Sequence, residues 1–293
     1  MKQAILITAY TNLDMLKHII EWFDLDFDFF IHIDKKCKEN YDFLNKFPNV
    51  HSISKYRIYW GSDRHLMAIL ALIRLAMETK ETYSYVHLIT GADFPIKAKE
   101  EFKAFFSLQN RTNYLEYYAL PCESWTGEGG LERLRYYWFG HRWLDPRRTL
   151  PKYLMGKIVK LQRKSHFSRN LSFVPKLYGG GTYWSLTGDA AAYLHEQMKQ
   201  RRMLSHFLYS HIGEEIWAQT ILMNSNNRFL IKNDYMRFMR WTPTSSSPAV
   251  LTIDDYADIC RSNAFFARKI VKGHSDALIE KLMSLSRDSD GGK

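Results

Sequence analysis

The stretch QAILITAYTNLDMLKHIIEWFDLDFDFFIHID, residues 3–34, decides the fold class. It opens with the apolar run AILITAY, carries apolar residues at helical spacing from Asn12 to Phe23, and closes with the apolar run FFIHID. A strand, a helix and a second strand in this order form a βαβ unit, whose strands are parallel. The sequence therefore predicts an α/β protein with a mostly parallel central sheet flanked by helices.

The same alternation continues along the chain. Val50 to Ile53 predicts a third strand, Ser62 to Glu78 carries apolar residues at helical spacing, and YVHLIT, residues 85–90, predicts a fourth strand. Open α/β sheets bind their ligands beyond the carboxyl ends of the strands. Asp34 and Asp93 follow two of these strands, so we expect both to lie at a functional edge of the sheet.

Several functional classes lose their main support. The chain has no GxGxxG and no GxxxxGK[ST] loop, which argues against dinucleotide-binding and P-loop proteins. Cys37, Cys122 and Cys260 are odd in number and far apart, which fits reduced thiols in a cytoplasm better than a zinc site. His32 and His87 alternate within strands, so we expect them in the core and not as metal ligands.

Length and composition are consistent with one large domain. The 293 residues are 46% hydrophobic and 15% aromatic, enough for a substantial core. We expect a single domain over residues 1–285 and a disordered tail over 286–293. A basic aromatic insertion occupies about 131–170, because eleven lysines and arginines stand against two acids from Leu131 to Arg169, interleaved with Tyr and Trp side chains.

A formal net charge of +10 predicts an anionic partner. Nucleotide phosphate, an acidic lipid surface and nucleic acid all satisfy it, and charge alone does not choose among them. The N-terminal residues MKQAILITAYTNLDM fit a first strand better than a signal peptide, and no apolar run approaches the roughly 20 residues that cross a bilayer. We expect a cytoplasmic protein, either free or peripheral on the inner face of the cytoplasmic membrane.

Six motifs, taken in their order, give a more specific indication. They are FIHIDKK (30–36), YWGSDRHLMAILAL (59–72), HLITGADFPIK (87–97), GGTYWSLT (180–187), GEEIWAQTIL (213–222) and SNAFFARK (262–269). In these motifs the chain resembles, over nearly its whole length, the Branch family of glycosyltransferases. That family includes the core-2/I-branching N-acetylglucosaminyltransferases and the peptide O-xylosyltransferases.

The resemblance implies a GT-A type, Rossmann-like fold and an inverting transfer from a UDP-sugar donor to a glycan hydroxyl, with no metal or other cofactor. The strand ends agree with this, since neither Asp34 nor Asp93 has a second aspartate two residues away. Asp24-x-Asp26-x-Asp28 has that spacing but precedes its strand, and a solvated turn is the favoured interpretation. The animal relatives carry an N-terminal anchor and stem that are absent here, which favours a bacterial enzyme of capsule or lipopolysaccharide synthesis.

Glu215 is the expected catalytic residue. An inverting transfer needs one carboxylate to take the proton of the acceptor hydroxyl as its oxygen attacks the anomeric carbon, and the family's base matches the second glutamate of Glu214-Glu215. Adjacent carboxylates at a helix start point in different directions, so only one can face a cleft. For Glu214 we expect charge compensation at the helix N-terminus.

Fixed cations would replace a metal at the leaving diphosphate. Lys269 matches the family's phosphate lysine. The family's partner arginine falls on Ser246, where this sequence departs from the animal enzymes, and Arg237 and Arg240 are the replacement candidates. Ordinary surface charge is the alternative for all three basic residues.

The remaining donor contacts implied by the resemblance lie near the ends of strands: Thr8, Ala9, Tyr10, Asp34, Lys35, Trp60, Arg64 and Asp93. Trp60 would stack on the uracil ring or belong to the core, and Asp93 would contact the donor sugar or cap a turn. The acceptor candidates are Glu116, Arg133 and Trp184, for which packing and solvated charge are the alternatives.

Three other functions stay open. The basic aromatic insertion suggests a nucleic-acid-binding protein, but no recognition motif accompanies it, and we expect no nucleic-acid partner. Plentiful acids and aromatic residues would also suit a glycoside hydrolase. An inactive sugar-binding relative is the third. We expect the partners to be a nucleotide sugar, a glycan or lipid-linked glycan acceptor, and an anionic membrane surface if the insertion binds lipid.

Overall fold

The computed structural model describes residues 1–23, 25–107, 110–242, 245 and 247–288, with side chains to residue 285. Asp24 and Ser246, which entered the interpretation of the metal and phosphate sites, lie outside the described residues. So does the part of the expected tail from residue 289 onward. The last helix continues to Asp288, three residues past the expected domain limit.

The strands are β1 Gln3–Ala9, β2 Phe27–Ile33, β3 Val50–Ile53, β4 Tyr85–Thr90, β5 Asp93–Pro95, β6 Thr112–Leu115, β7 Tyr118–Ala119, β8 Tyr178–Gly179, β9 Trp184–Thr187, β10 Leu230–Asn233, β11 Arg237–Met239 and β12 Phe266–Arg268. The α-helices are α1 Asp14–Trp22, α2 Asp63–Met77, α3 Lys99–Phe105, α4 Thr126–Gly129, α5 Glu132–Arg135, α6 Thr149–Lys164, α7 Gly188–Lys199, α8 Arg201–Phe207, α9 Trp217–Met223, α10 Tyr256–Arg261 and α11 Asp276–Asp288. Short 3-10 helices span Asp42–Lys46, Phe139–Arg142, Gly213–Glu215 and Ile253–Asp255.

The main sheet has seven strands in the order β10-β6-β9-β4-β1-β2-β3. Strands β3, β2, β1 and β4 are parallel neighbours, β10 is parallel to β6, and β9 runs against both β4 and β6. Six strands of this sheet therefore share one direction. The predicted α/β class with a mostly parallel sheet is confirmed, and α1 and α2 lie within two residues of their predicted bounds.

Alternation along the strands builds a core on each side of the sheet. In β1, Ile5 and Ile7 join a cluster with α1, α3, α10 and α11, whereas Ala4 and Leu6 join a cluster with α2, α7 and α9. Successive side chains of a strand point to opposite faces, which explains why an entirely apolar strand is buried on both faces. The sheet edge with the carboxyl ends of the strands is thus held between two layers of helices.

The predicted core histidines are buried. His87 lies 2.9 Å from both Ser185 Oγ and Gln3 Oε1 through its two ring nitrogens. His32 accepts a hydrogen bond from the Tyr56 amide at Nε2. Both rings are fully buried, and burial lowers the pKa of His32 to about 4. The three cysteines form no disulfide.

A small second sheet, β11-β12-β5, places the C-terminal segment against the end of β4. Strand β12 is antiparallel to β5, in a register that opposes Arg268 to Asp93. It is parallel to β11, with Arg237 opposite Phe266. Residues that are about 175 positions apart in the chain therefore meet beside the functional edge.

Buried polar contacts hold the basic insertion to the main body. Arg142 donates from Nε to both carboxylate oxygens of Asp63, at 2.9 and 3.0 Å. Asp63 is buried at the start of α2 and also accepts the Tyr209 amide at 2.7 Å. Arg169 is buried as well and donates to carbonyl groups at the end of α8. Part of the basic character of the insertion is therefore structural.

Candidate functional site

A cleft of about 650 Å³ opens beyond the carboxyl ends of the main-sheet strands. Side chains from distant parts of the sequence line it, among them Trp60 before α2, Glu116 after β6, Glu215 before α9 and Arg268 at the end of β12. A larger depression of about 790 Å³ lies at the opposite edge of the sheet, around Arg111. The first cleft is the candidate site, because carboxylates, arginines and aromatic side chains line it. It also lies where α/β folds bind their ligands.

Glu215 faces this cleft from the short 3-10 helix that precedes α9. Arg133 donates from Nη1 to Glu215 Oε2 at 2.7 Å, and the guanidinium lies over the Trp125 ring at 3.7 Å. About 30% of the Glu215 side chain remains exposed. Burial raises the pKa of Glu215 to about 7, with the charge of Glu214 adding to this and Arg133 opposing it. Such a carboxyl group can exchange a proton near neutral pH.

Glu214 lies on the other side of the same turn and does not line the cleft. Its Oε1 is 3.1 Å from His65 Nδ1, and His65 Nε2 is 3.2 Å from Thr8 Oγ1. Glu214 is buried, and its Oε2 has no hydrogen-bond partner among the described residues. The expected role in helix charge compensation gives way to a buried contact that links the turn to the end of β1.

Glu116 supplies a second carboxylate to the cleft, as expected for an acceptor residue. Its Oε2 accepts the Gly181 amide at 2.9 Å. Burial raises the pKa of Glu116, the Gly181 hydrogen bond opposes the shift, and the charge of Asp234 adds to it. Gly180 permits this arrangement, because a Cβ atom there would lie 1.9 Å from the Glu116 carbonyl oxygen.

Trp184 cannot contact an acceptor, and that expectation was wrong. Its side chain is fully buried in β9, within the core cluster that includes α2 and α7. The alternation of strand residues explains the error, because Tyr183, one position earlier, lines the cleft instead. Arg133, the other acceptor candidate, reaches the site through its contact with Glu215.

The residues expected to line a uridine pocket lie together at the ends of β1 and β2. Thr8 and Ala9 are nearly buried, and Tyr10 is exposed. Asp34 is buried, and its two carboxylate oxygens accept the Lys36 amide at 2.8 Å and the Ile58 amide at 3.2 Å. Asp34 therefore ties together the loops that follow β2 and β3.

The other expected donor residues differ in position. Trp60 is 49% exposed and lines the cleft, so it is not a core residue. Its neighbour Gly61 has φ +70°, and a Cβ atom there would lie 2.5 Å from the His211 ring. Lys35 is exposed, and Arg64 lies over the Tyr56 ring at 5.5 Å. Neither of these two basic side chains lines the cleft.

The expected phosphate arginines are engaged elsewhere. Arg237 is buried and donates to Ser185 Oγ at 2.9 Å and to the carbonyls of Trp184 and Leu88 at 3.0 and 3.1 Å. Burial lowers the pKa of Arg237 to about 10. Its place in the interior corrects the expectation that it binds phosphate. Arg240 is more exposed, but it pairs with Asp255 at 3.3 Å and does not line the cleft.

Two other arginines line the cleft, and sequence analysis did not select them. Arg268 stands over the Tyr183 ring at 5.2 Å and lies 3.3 Å from Asp93 Oδ2. Its neighbour Lys269, the expected phosphate lysine, is half-buried and is adjacent to the cleft residue Arg268 without itself lining the cleft. Arg147 comes from the basic insertion and pairs with Asp145 at 2.7 Å. Arg268 stands directly before Lys269, the last residue of the motif SNAFFARK, and this position was the available signal for it.

Asp93 acts first as a structural group. It is fully buried and accepts the Thr90 amide at 2.6 Å, which caps the turn after β4. The contact with Arg268 adds a charge partner. Among the described residues, no three His, Cys, Asp or Glu side chains are grouped closely enough to hold a metal ion.

Comparison with known protein families shows to which family this chain belongs. A family described as Core-2/I-Branching enzyme matches residues 4–263, which is most of the chain. The chain belongs to the Core-2/I-Branching enzyme family, and the resemblance seen in the sequence motifs is confirmed.

Curated relatives are distant. The chain is 20% identical over 222 residues to "Xylosyltransferase oxt" of Drosophila pseudoobscura pseudoobscura, covering 73% of this chain and 23% of that protein. It is 22% identical to "Xylosyltransferase 2" of Rattus norvegicus (73% and 23% covered) and 24% identical to "Xylosyltransferase 1" of Mus musculus (74% and 21% covered). The chain thus spans less than a quarter of the length of these relatives.

One solved structure, a putative glucose-1-phosphate thymidylyltransferase from Bacillus anthracis, aligns with 79% of this chain and 85% of its own. The TM-score of 0.36 and the 11% identity are too low to support any statement about this protein.

Proposed function

We propose that this protein transfers a sugar from a UDP-sugar to a glycan hydroxyl with inversion, with Glu215 as the general base. One observation carries the proposal: a carboxylate with a pKa of about 7 faces a cleft that contains a second carboxylate, two arginines and several aromatic rings. In the reaction, Glu215 takes the proton of the acceptor hydroxyl. The acceptor oxygen bonds to the anomeric carbon as the bond to the diphosphate oxygen breaks on the opposite side.

The donor would occupy the side of the cleft near the ends of β1 and β2, with the uracil ring against the exposed face of Trp60. The diphosphate gains negative charge as it leaves, and Arg268, Lys269 and Arg147 would stabilise this charge electrostatically. Glu116 and Tyr183 would contact the acceptor. Aromatic faces pack on sugar rings, and the carboxylate accepts hydrogen bonds from hydroxyl groups.

Metal independence is part of the proposal. In this chain the acids at the strand ends already have protein partners, since Asp34 accepts two backbone amides and Asp93 pairs with Arg268. Cationic side chains beside the cleft could take the place of a divalent ion. The family membership does not favour the hydrolase, nucleic-acid-binding or inactive alternatives.

The donor sugar is left open among UDP-N-acetylglucosamine, UDP-xylose, UDP-glucuronic acid and UDP-galactose in either ring form. The names of the relatives favour xylose, but their identity to this chain is low. For the acceptor we propose a lipid-linked glycan of bacterial capsule or lipopolysaccharide assembly, used at the cytoplasmic face of the membrane. The basic aromatic insertion supports this, because Arg147 connects it to the cleft.

Thermal stability in the presence of UDP and of each UDP-sugar, all in EDTA, tests the donor site. Ligand that binds only the folded state stabilises it by about 2.7 kcal/mol at a concentration a hundred times Kd, so the melting temperature should rise without metal. Lys269→Ala should weaken UDP binding roughly tenfold or more. Arg240→Ala is the matched control, because that side chain pairs with Asp255 outside the cleft. Stabilisation that appears only with Mn²⁺ or Mg²⁺ would contradict the metal-free site.

A further inference from the structure

Helix α6 presents an unusual surface. Only Met155, Val159 and Gln162 of its sixteen residues are buried. Its other side exposes Leu150 (66%), Leu154 (41%), Ile158 (37%) and Leu161 (66%). With 3.6 residues per turn, these four side chains fall within an arc of about 80°. They form a continuous apolar stripe, called here the outer stripe of α6, which the other described residues leave exposed.

Positive charge borders this stripe on one side. Lys157, Lys160 and Lys164 lie next to it by helical position, together with the exposed ring of Tyr153. The helix contains no acidic residue. Large exposed side chains also flank the helix in the chain, Trp143 before it and Phe167 after it. Apolar residues on one face with lysines alongside are typical of helices that lie in a membrane interface.

Helix α6 packs against the segment that anchors the insertion to the main sheet and its helices. Met155 packs so closely on Gly140 that a Cβ atom there would lie 2.2 Å from the methionine Cε. Gly140 belongs to the 3-10 helix that ends at Arg142, and Arg142 pairs with buried Asp63. Arg147, between this short helix and α6, lines the cleft. A surface bound by α6 would therefore lie close to the candidate active site.

We propose that the outer stripe of α6 and its three lysines dock the protein reversibly on an anionic lipid bilayer. The stripe would enter the level of the headgroups, and the lysines would contact lipid phosphates. This placement rests on the proposed action on a lipid-linked acceptor, because it brings the cleft to the surface where such an acceptor lies. Within the described residues, no helix is long and apolar enough to cross a bilayer.

A second copy of this chain is the competing occupant, and charge argues against it. Two α6 helices paired through their stripes would bring lysine rows together, with no acid on either helix to offset them. The helix is also short, about 24 Å for sixteen residues. An anionic surface satisfies the apolar and the basic groups at the same time.

Co-sedimentation with vesicles tests the proposal on the full chain. The wild-type protein should bind vesicles of phosphatidylglycerol and phosphatidylcholine at low salt, should not bind pure phosphatidylcholine vesicles, and should be released by added salt. The triple variant Lys157→Gln, Lys160→Gln, Lys164→Gln should bind on the order of 100-fold more weakly, since each lysine contributes about fivefold. Its control changes three exposed lysines elsewhere, Lys38, Lys46 and Lys80, with the same loss of charge.

The apolar contribution is tested in parallel. The triple variant Leu154→Gln, Ile158→Gln, Leu161→Gln should lose vesicle binding. The triple variant Leu25→Gln, Leu230→Gln, Ile253→Gln, which changes exposed residues outside α6, should not. An unchanged melting temperature shows that each variant is folded, and UDP binding by each variant reports separately on the proposed donor site. The proposal is overturned if wild type ignores anionic vesicles, if both lysine sets weaken binding equally, or if the stripe variant only converts a dimer to a monomer.

Discussion

Opposing effects set the proton affinity of Glu215. Burial and the neighbouring Glu214 charge favour the protonated carboxyl group, whereas the 2.7 Å contact with Arg133 favours the carboxylate. The result, a pKa of about 7, lets one group accept a proton readily and still be ionised in much of the protein at neutral pH. Arg133 is itself held by the Trp125 ring, so it also fixes the direction of the carboxylate.

Glu215→Gln should therefore abolish most of the turnover while leaving UDP affinity unchanged. The amide keeps the shape of the side chain but cannot accept the proton, and a general base typically contributes 10²-fold or more to the rate. The measurement is kcat for transfer alongside the Kd for UDP. Glu214→Gln is the comparison, because Glu214 lies outside the cleft. Near-normal turnover of Glu215→Gln with an inactive Glu214→Gln would move the role to Glu214.

Residue positions were predictable where a side chain follows a strand or a motif, and less so within short strands. Glu215, Glu116 and Trp60 all reach the cleft as expected. Trp184 and Arg237 do not, because each lies in a three- or four-residue strand where a shift of one position changes the face. Such short strands carry too few residues for their alternation to show which side is buried.

Helices and strands were predicted best where their apolar period is long. The βαβ opening and α2 appear as expected. Their elements are seven to fifteen residues long, which is enough to distinguish the two-residue period of a strand from the 3.6-residue period of a helix. For the basic insertion, the sequence indicated the composition but not which of its charged residues are buried. Arg142 and Arg169 bind inside the fold, whereas the lysines of α6 remain at the surface. Counting charges does not distinguish arginines that bind inside the fold from lysines at the surface. Arg142 depends on a contact with Asp63, and Arg169 on a contact with α8, and both contacts are distant in the sequence.

The pair of Asp63 and Arg142 should make a large contribution to the attachment of the insertion. Arg142→Ala leaves a buried carboxylate without its charge partner, which typically costs 3–5 kcal/mol. Urea unfolding should show a decrease of about that size in the free energy of unfolding. Arg261→Ala, which removes an exposed partner of Asp258, should change it by less than about 1 kcal/mol. Equal effects of the two substitutions would show that Asp63 is solvated.

At the scale of the whole molecule, the site is a product of topology. Trp60, Glu116, Glu215 and Arg268 come from four separate segments and meet only because the strands that precede several of them end at one edge of the structure. The predicted α/β class placed the site at this edge. It did not foresee that β12 would insert beside β5 and bring Arg268 to the cleft, because that pairing joins remote, three-residue strands.

The central claim is that Glu215 acts as the base in the proposed transfer, and the pH dependence of kcat/KM tests it most directly. The carboxylate is the active form, so a folded-state pKa of about 7 means that kcat/KM should fall as the pH drops below that value and level off above it. Removal of Arg133 by Arg133→Gln should shift this midpoint upward, because Arg133 stabilises the carboxylate. A profile recorded with the wild-type protein that stays flat through pH 7, or one that falls as the pH rises through it, would contradict the account.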